Sequence, residues 1–458
     1  MAGASLGLAL DGILARVTPG PVSYAFNGDI ALAYQVVGDG PVDVVMLPGL
    51  FSHLDVQWED PRFAEFLQGL AEGHRLIVTD RRGLGLSERF APDHVPPIES
   101  LVDDVLAVLD AANSDTAVVI GFWESGFVAQ LLAAAHPNRV LGLVLVDSFA
   151  TAVYTAETPW LDRAEQWLRN EARDSDWGRR LGSDFDYLLD QREREWVLRM
   201  QRASCTPTAR LFEARRWRLT DTRGVLASIR VPTLVLHDAD GADMSDPRGA
   251  RLLAARIKDS QLVGYHGGDE FWWHRPSGTI TTEVSRFVRG LGSSDPSFDR
   301  VLATVLFTDI VDSTTHAASI GDSAWRKLRE RHDQIVRTEI ARFRGQEIKT
   351  MGDGFLVTFD GPARGVRCAQ EIISQMVGLG LQIRAGLHTG EIELDGDDIT
   401  GIGVAISARV GALAGPSEVL VSQTIRDLTV GANLVLTDRG EHHLKGIPGA
   451  WRLYAVAG

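Results

Sequence analysis

FTDIVDST, Phe307 to Thr314, closes a hydrophobic run with a carboxylate and opens the next segment with three capping residues. Val301 to Phe307 has the apolar, β-rich composition of a buried strand, which brings Asp309 to its end. Asp312, Ser313 and Thr314 then suit the start of a helix, where backbone N–H groups lack intrahelical partners and Ser313 and Thr314 would meet a phosphate chain. Asp322 to Phe343 follows with Trp325, Leu328, Ile335, Val336, Ile340 and Phe343 on one helical side. Next, IKTMGDGFLVTF, Ile348 to Phe359, has the pattern of two strands turning at Gly352-Asp353-Gly354. Asp353 alone is an ordinary turn carboxylate. If the hairpin lies beside the first strand, Asp309 and Asp353 converge, and two carboxylates with a phosphate chain make a hard-oxygen site for magnesium or manganese.

Two further segments carry charge. In DDITGIGVAISARV, Asp397 to Val410, Asp398 precedes a helix on which Ala405 and Arg409 share a face. RGEHHLKG, Arg439 to Gly446, brings Lys445 on an expected strand. Taken singly, Arg409 and Lys445 are ordinary solvated cations. His442 and His443 are neighbours on that strand and point to opposite faces, which favours a structural role over metal binding.

In order and spacing these four segments resemble the catalytic domain of class III adenylate/guanylate cyclases, over residues 299–458. The resemblance implies an α+β domain with a ferredoxin-like core. It also implies two divalent cations, magnesium or manganese, held by Asp309, Asp353 and the backbone carbonyl of Ile310. Lys349 and Asp398 match the pair that reads adenine, Arg409 the transition-state arginine and Lys445 the phosphate-binding lysine. An ammonium donates to adenine N1 and a carboxylate accepts from its amine, whereas guanine presents the reverse pattern, so ATP is the expected substrate. A homodimer with active sites shared between chains is implied too. Ala405 departs from the family, which carries a ribose-positioning Asn there, and loss of that contact lowers turnover by about one to three orders of magnitude.

The rest of the chain has a different pattern. From about residue 22 to 290, short β-rich runs (Val42 to Leu47, Leu76 to Asp80, Ala117 to Ile120, Val140 to Val146, Thr233 to Leu236) alternate with amphipathic helical stretches, the pattern of an α/β sheet. Ala152 to Arg223, rich in Trp, Arg and Glu, interrupts it as an expected helical cap. LPGLFSH (Leu47 to His53), DRRGLGLS (Asp80 to Ser87) and VVIGFWESGF (Val118 to Phe127) resemble the oxyanion loop, the Gly-x-Gly-x-Ser turn and the nucleophile elbow of α/β-hydrolases. The elbow's serine position holds Trp123, with Ser125 two residues on. The acid position falls at Gly241, between Asp240 and Asp243, and the histidine position at Glu270. A hydrolase without its nucleophile is expected to be inactive, leaving a pocket floored by Trp123 and walled by Trp272 or Trp273, with a regulatory role and a possible small apolar ligand. Ester hydrolysis and a silent signalling scaffold are the competing functions.

The expected division is an N-terminal extension 1–21, the hydrolase-like domain 22–290, a polar linker 291–298 and the cyclase-like domain 299–458. A net charge of −15 without a basic stripe argues against nucleic acid as a partner. Two distant cysteines, Cys205 and Cys368, and the lack of an apolar span point to a cytoplasmic protein without a membrane segment.

Overall fold

The computed structural model describes residues 19–49, 51–89, 96–151, 190–239, 247–266, 279–291, 300–395 and 398–457. Two sheets organise them. The first is eight-stranded, in the order β1 (Ser23–Asn27), β2 (Ile30–Val37), β4 (Arg75–Thr79), β3 (Asp43–Leu47), β5 (Ala117–Phe122), β6 (Val140–Val146), β7 (Thr233–Asp238), β8 (Ser260–Tyr265). β1 and β2 are antiparallel and every pair from β4 onward is parallel. All six residues of β5 are buried, because a parallel strand covered on both faces needs no polar alternation. On one side lie α2 (Ile98–Ala111) and α3 (Gly126–Ala135), and on the other α1 (Pro61–Ala71) and α7 (Thr279–Gly290). The expected cap is represented by α4 (Gln191–Ser204) and α5 (Pro207–Leu219), while 152–189 lie outside the described residues. A further helix, α6 (Pro247–Arg256), precedes β8.

The second sheet begins at β9 (Arg300–Ile310), longer at both ends than the hydrophobic run indicates. After it come α8 (Ser313–Ile320), α9 (Asp322–Arg342), the hairpin β10 (Gln346–Met351) and β11 (Gly354–Phe359), α10 (Pro362–Val377) and β12 (Ile383–Asp395). That β-α-β-β-α-β succession is the expected ferredoxin-like core. Strand order is β10-β11-β9-β12, continued by β14 (Val419–Ser422), β16 (Trp451–Val456) and β15 (Leu436–His442), with β13 (Asp398–Thr400) paired to β12. Val336 and Ile340 of α9 are buried and Trp325, Leu328, Ile335 and Phe343 pack beside them, as the helical period predicts. Of the expected linker, only Leu291 is described.

The two units meet along a packed seam. Leu302 of β9 and Leu428 of α12 (Gln423–Leu428) are buried among the core residues of the first unit. Buried Glu99 of α2 reaches across to the first turn of α10: its Oε2 accepts from the Ala363 N–H at 2.9 Å and its Oε1 from the Arg364 N–H at 3.1 Å. A helix start lacking a side-chain cap of its own is thus capped by the other domain. Gly361 makes room, since a Cβ there would lie 2.6 Å from Glu99 Cδ. Arg364 pairs with Asp103 of α2, and Arg230 pairs with Glu391 of β12.

Candidate active site

β9 and β12 run antiparallel with Asp309 opposite Arg384, and β11 flanks β9 with Phe355 opposite Thr308. The β10–β11 turn that bears Asp353 follows directly on that register, so it lies at the same end of the sheet as the end of β9 that bears Asp309. Arg384 donates through Nε to Asp309 Oδ2 at 2.9 Å and its Nη2 reaches the same oxygen. Arg384 has no signal of its own in the sequence, because β12 carries other charged residues, and only the register sets it against the Asp309 carboxylate. The donor set of two carboxylates and the Ile310 carbonyl is all oxygen and fits magnesium or manganese. No group of three or more His, Cys, Asp or Glu side chains suited to a metal occurs among the described residues.

Asp312 is the residue before α8, as expected, but it adopts a left-handed φ of 52° and makes no side-chain cap hydrogen bond. The capping role predicted for it is corrected: its left-handed backbone is not the extended conformation from which a capping side chain reaches the first turn. The first N–H groups of α8, at Ser313 and Thr314, consequently have no side-chain cap from Asp312.

Lys349 on β10 and Asp398 on β13 are joined directly, Nζ to Oδ1 at 2.7 Å and to Oδ2 at 2.5 Å. The Lys349 bond, with the Ile399 N–H, holds the Asp398 carboxyl below its ordinary value. Both side chains are nearly half exposed, 44% and 46%, so the pair adds little to stability. Its position is better explained by what the two groups offer to a third molecule.

Arg409 projects from α11 (Ile402–Leu413), one turn beyond Ala405. α11 is locked on the sheet: Ser407 donates to the Val305 carbonyl at 2.6 Å, and a Cβ at Gly386 would lie 2.0 Å from the Gly411 nitrogen. Arg409 Nε donates to the backbone carbonyl of Lys445 at 3.1 Å, which ties α11 to the segment that carries Lys445. Lys445 sits in a turn after β15, not on the strand expected, because β15 stops at His442 and His443 falls outside it as well. His442 is used locally, with Nε2 bonded to the Arg439 carbonyl at 3.0 Å. Among the described residues no hydrogen bond or ion pair joins the Asp309 group to the Lys349–Asp398 pair or to Arg409 and Lys445.

In the first unit the elbow geometry survives without its nucleophile. Trp123 has φ 47°, the strained conformation of a strand-to-helix elbow. Ser125 lies on the 3-10 turn before α3 rather than in the helix, and its Oγ is bonded to the Leu47 and Phe122 carbonyls, both at 2.7 Å. Asp240, Gly241, Asp243, Glu270, Trp272 and Trp273 lie outside the described residues. Glu124, next to Trp123 in the chain, joins a buried ion-pair cluster: Arg81 Nη2 lies 2.9 Å from Glu213 Oε2 and 3.4 Å from Glu124 Oε1, and Arg216 also pairs with Glu213.

The model of the alpha/beta hydrolase fold family matches residues 43–271, and that of the adenylate and guanylate cyclase catalytic domain matches residues 296–458. The chain belongs to the alpha/beta hydrolase fold family and carries a class III adenylate/guanylate cyclase catalytic domain behind it. A domain of that kind implies a nucleotide substrate, divalent metal use and typical dimerisation. A candidate adenylate cyclase, number 3, of Rhizobium meliloti is 28% identical over 160 residues, which is 33% of this chain and 27% of that relative. The AB hydrolase superfamily protein YisY of Bacillus subtilis is 26% identical over 227 residues, 47% of this chain and 81% of its own. Among solved structures, the adenylyl cyclase CyaB from P. aeruginosa has 21% identity and a TM-score of 0.33, covering 35% of this chain and 95% of that one. This chain therefore spans about a quarter of the Rhizobium relative. Among the described residues no helix is long and apolar enough to cross a membrane.

Proposed function

We propose that the protein is an adenylate cyclase of the cytoplasm, converting ATP to 3′,5′-cyclic AMP and pyrophosphate, with the hydrolase-like domain as a regulatory unit. The observation that carries this is the Lys349–Asp398 pair, preformed and exposed, offering an ammonium donor beside a carboxylate acceptor. Adenine matches that edge and guanine does not. In the reaction the ribose 3′-oxygen bonds to the α-phosphorus, the bridging oxygen to the β-phosphorus leaves with pyrophosphate, and the hydroxyl proton passes to solvent. Lys349 and Asp398 fix the base, the first N–H groups of α8 meet phosphate oxygens, and Arg409 and Lys445 supply positive charge where it grows on the phosphates. Asp309, Asp353 and the Ile310 carbonyl would hold two divalent cations, which supply charge stabilisation to the attacking and leaving oxygens when bound.

Cyclase catalytic domains of this kind typically dimerise, which supports a homodimer whose sites draw one group of residues from each subunit. Ala405 offers no hydrogen bond toward a ribose, so turnover is low for this family. Trp123 in the nucleophile position and the tethered Ser125 hydroxyl argue against ester hydrolysis. Purified protein incubated with manganese and equal ATP and GTP should release cyclic AMP in large excess. Replacing Lys349 by Glu and Asp398 by Cys should shift use toward GTP, and equal use of both nucleotides by the unmodified protein refutes the base assignment.

A further inference from the structure

A cavity of about 630 Å³ opens along the seam between the two domains, within the volume range of small-molecule sites and at a domain boundary, where such sites are common. The first domain contributes Ala135, Pro137 and Asn138, where α3 gives way to the turn before β6. From the second come the first residues of β9, at the opposite end of that strand from Asp309, with parts of β10, β12 and β13. Ala303, Ile392 and Ile399 there belong to a buried apolar cluster against which Val301 and Ile348 pack, so one wall is continuous hydrocarbon.

The polar groups of the lining are unequally satisfied. Asp360 pairs with Arg364 and Asp398 with Lys349, so both carboxylates are matched. Arg344 is exposed, and among the described residues no hydrogen bond or ion pair engages its guanidinium. The Asn138 and Gln346 side-chain amides are likewise without a hydrogen bond among the described residues. Arg344 follows α9 with φ 56°, a left-handed position where glycine is the unstrained residue, so this side chain stands there at a conformational cost.

An apolar wall beside one unmatched cation selects the charge of a guest. A neutral hydrocarbon that covers Arg344 shields the guanidinium from water and leaves it unpaired, and an ammonium adds like charge. A dianion brings a second charge with no counterpart in the lining. A single carboxylate matches the planar guanidinium fork.

We propose that this interdomain cavity binds an organic monocarboxylate with an apolar body, its carboxylate on Arg344 and its hydrocarbon against Val301, Ile348 and Ile392. The Asn138 and Gln346 amides are further donors for the head. Such a ligand touches both domains at once, and with them β13, the strand that bears Asp398.

Three probes of one chain length test this on the full protein: octanoate, octanol and octylammonium, titrated by calorimetry into the millimolar range. Octanoate should bind saturably, with the other two about tenfold weaker, the worth of one charge-assisted pair. Arg344→Gln should bring octanoate down to the octanol level without altering the melting temperature of the ligand-free protein. Leu394→Trp, at a half-exposed lining position, narrows the cavity and should weaken octanoate and octanol alike. No saturable binding of octanoate, equal binding of the three probes, or octanoate binding unchanged by either substitution overturns the proposal. None of these readouts involves nucleotide turnover, so their failure would leave the cyclase assignment standing.

Discussion

Glu99 ties the two domains together at a cost that depends on pH. Burial pushes its carboxyl up from 4.5 to about 7, against the lowering effect of the Ala363 and Arg364 N–H groups and the Arg364 guanidinium. The other charged groups at this seam are Asp360, which raises it further, Asp103, paired with Arg364, and His136, which faces Asp360 and is itself held below its ordinary value by burial. With the domains apart, Glu99 is solvated and titrates normally, so the docked form binds more protons. Docking is therefore fully supported below the ordinary carboxyl range and weakens as pH rises through about 7. From about pH 5 to about pH 8 the loss is about 2.5 kcal/mol, roughly 70-fold in the docking equilibrium. Hydrogen exchange at the Ala363 and Arg364 amides reads this directly, because those N–H groups donate to Glu99. Corrected for intrinsic rates, their protection should fall by roughly 70-fold across that range. Glu99→Gln cannot ionise and keeps one acceptor, so it should lose about 1 kcal/mol of docking and the pH slope with it. A flat profile in the unmodified protein, or the same slope in Glu99→Gln, refutes the reasoning.

Mixing Asp309→Ala protein with Arg409→Ala protein, each inactive alone, should restore activity, because one site of a mixed dimer contains neither change; mixed dimers seen by native mass spectrometry without activity would exclude shared sites. His388, buried beside Ser422 and Trp451, is pushed down to about 4 by desolvation. The folded state keeps it neutral, so its contribution is complete above the ordinary imidazole value near 6.5 and is lost as pH falls through about 4, about 3 kcal/mol in all. Urea denaturation of His388→Gln should show a correspondingly shallower acid loss than the unmodified protein.

The cyclase half was legible because its chemistry is local: Asp309, Asp353, Lys349, Asp398 and Arg409 sit in short segments whose strand and helix periods are plain. What escaped was set by tertiary pairing. Arg384 acquires meaning only from the register that faces it with Asp309. Glu99, on the amphipathic helix α2, looks like a solvent-facing carboxylate until a second domain brings it a helix start. The buried ion-pair cluster that includes Glu124 was missed because its members come from three separated segments, with no spacing to connect them. Lys445 was assigned to a strand because alternation was extended past His442, where the chain turns.

β12 gathers these elements on one thirteen-residue strand. At one end it carries Arg384, against Asp309; along its length α11 is bolted to it by the Gly386 and Gly411 contact, so Arg409 follows its movement; farther on it pairs with the β13 strand that bears Asp398. Near its far end Glu391 is gripped by Arg230 of the hydrolase-like domain. One continuous strand thus joins a hydrolase-like domain contact at Glu391 to the segments that carry Arg384, Arg409 and Asp398, so the two domains share a single piece of backbone rather than only a surface.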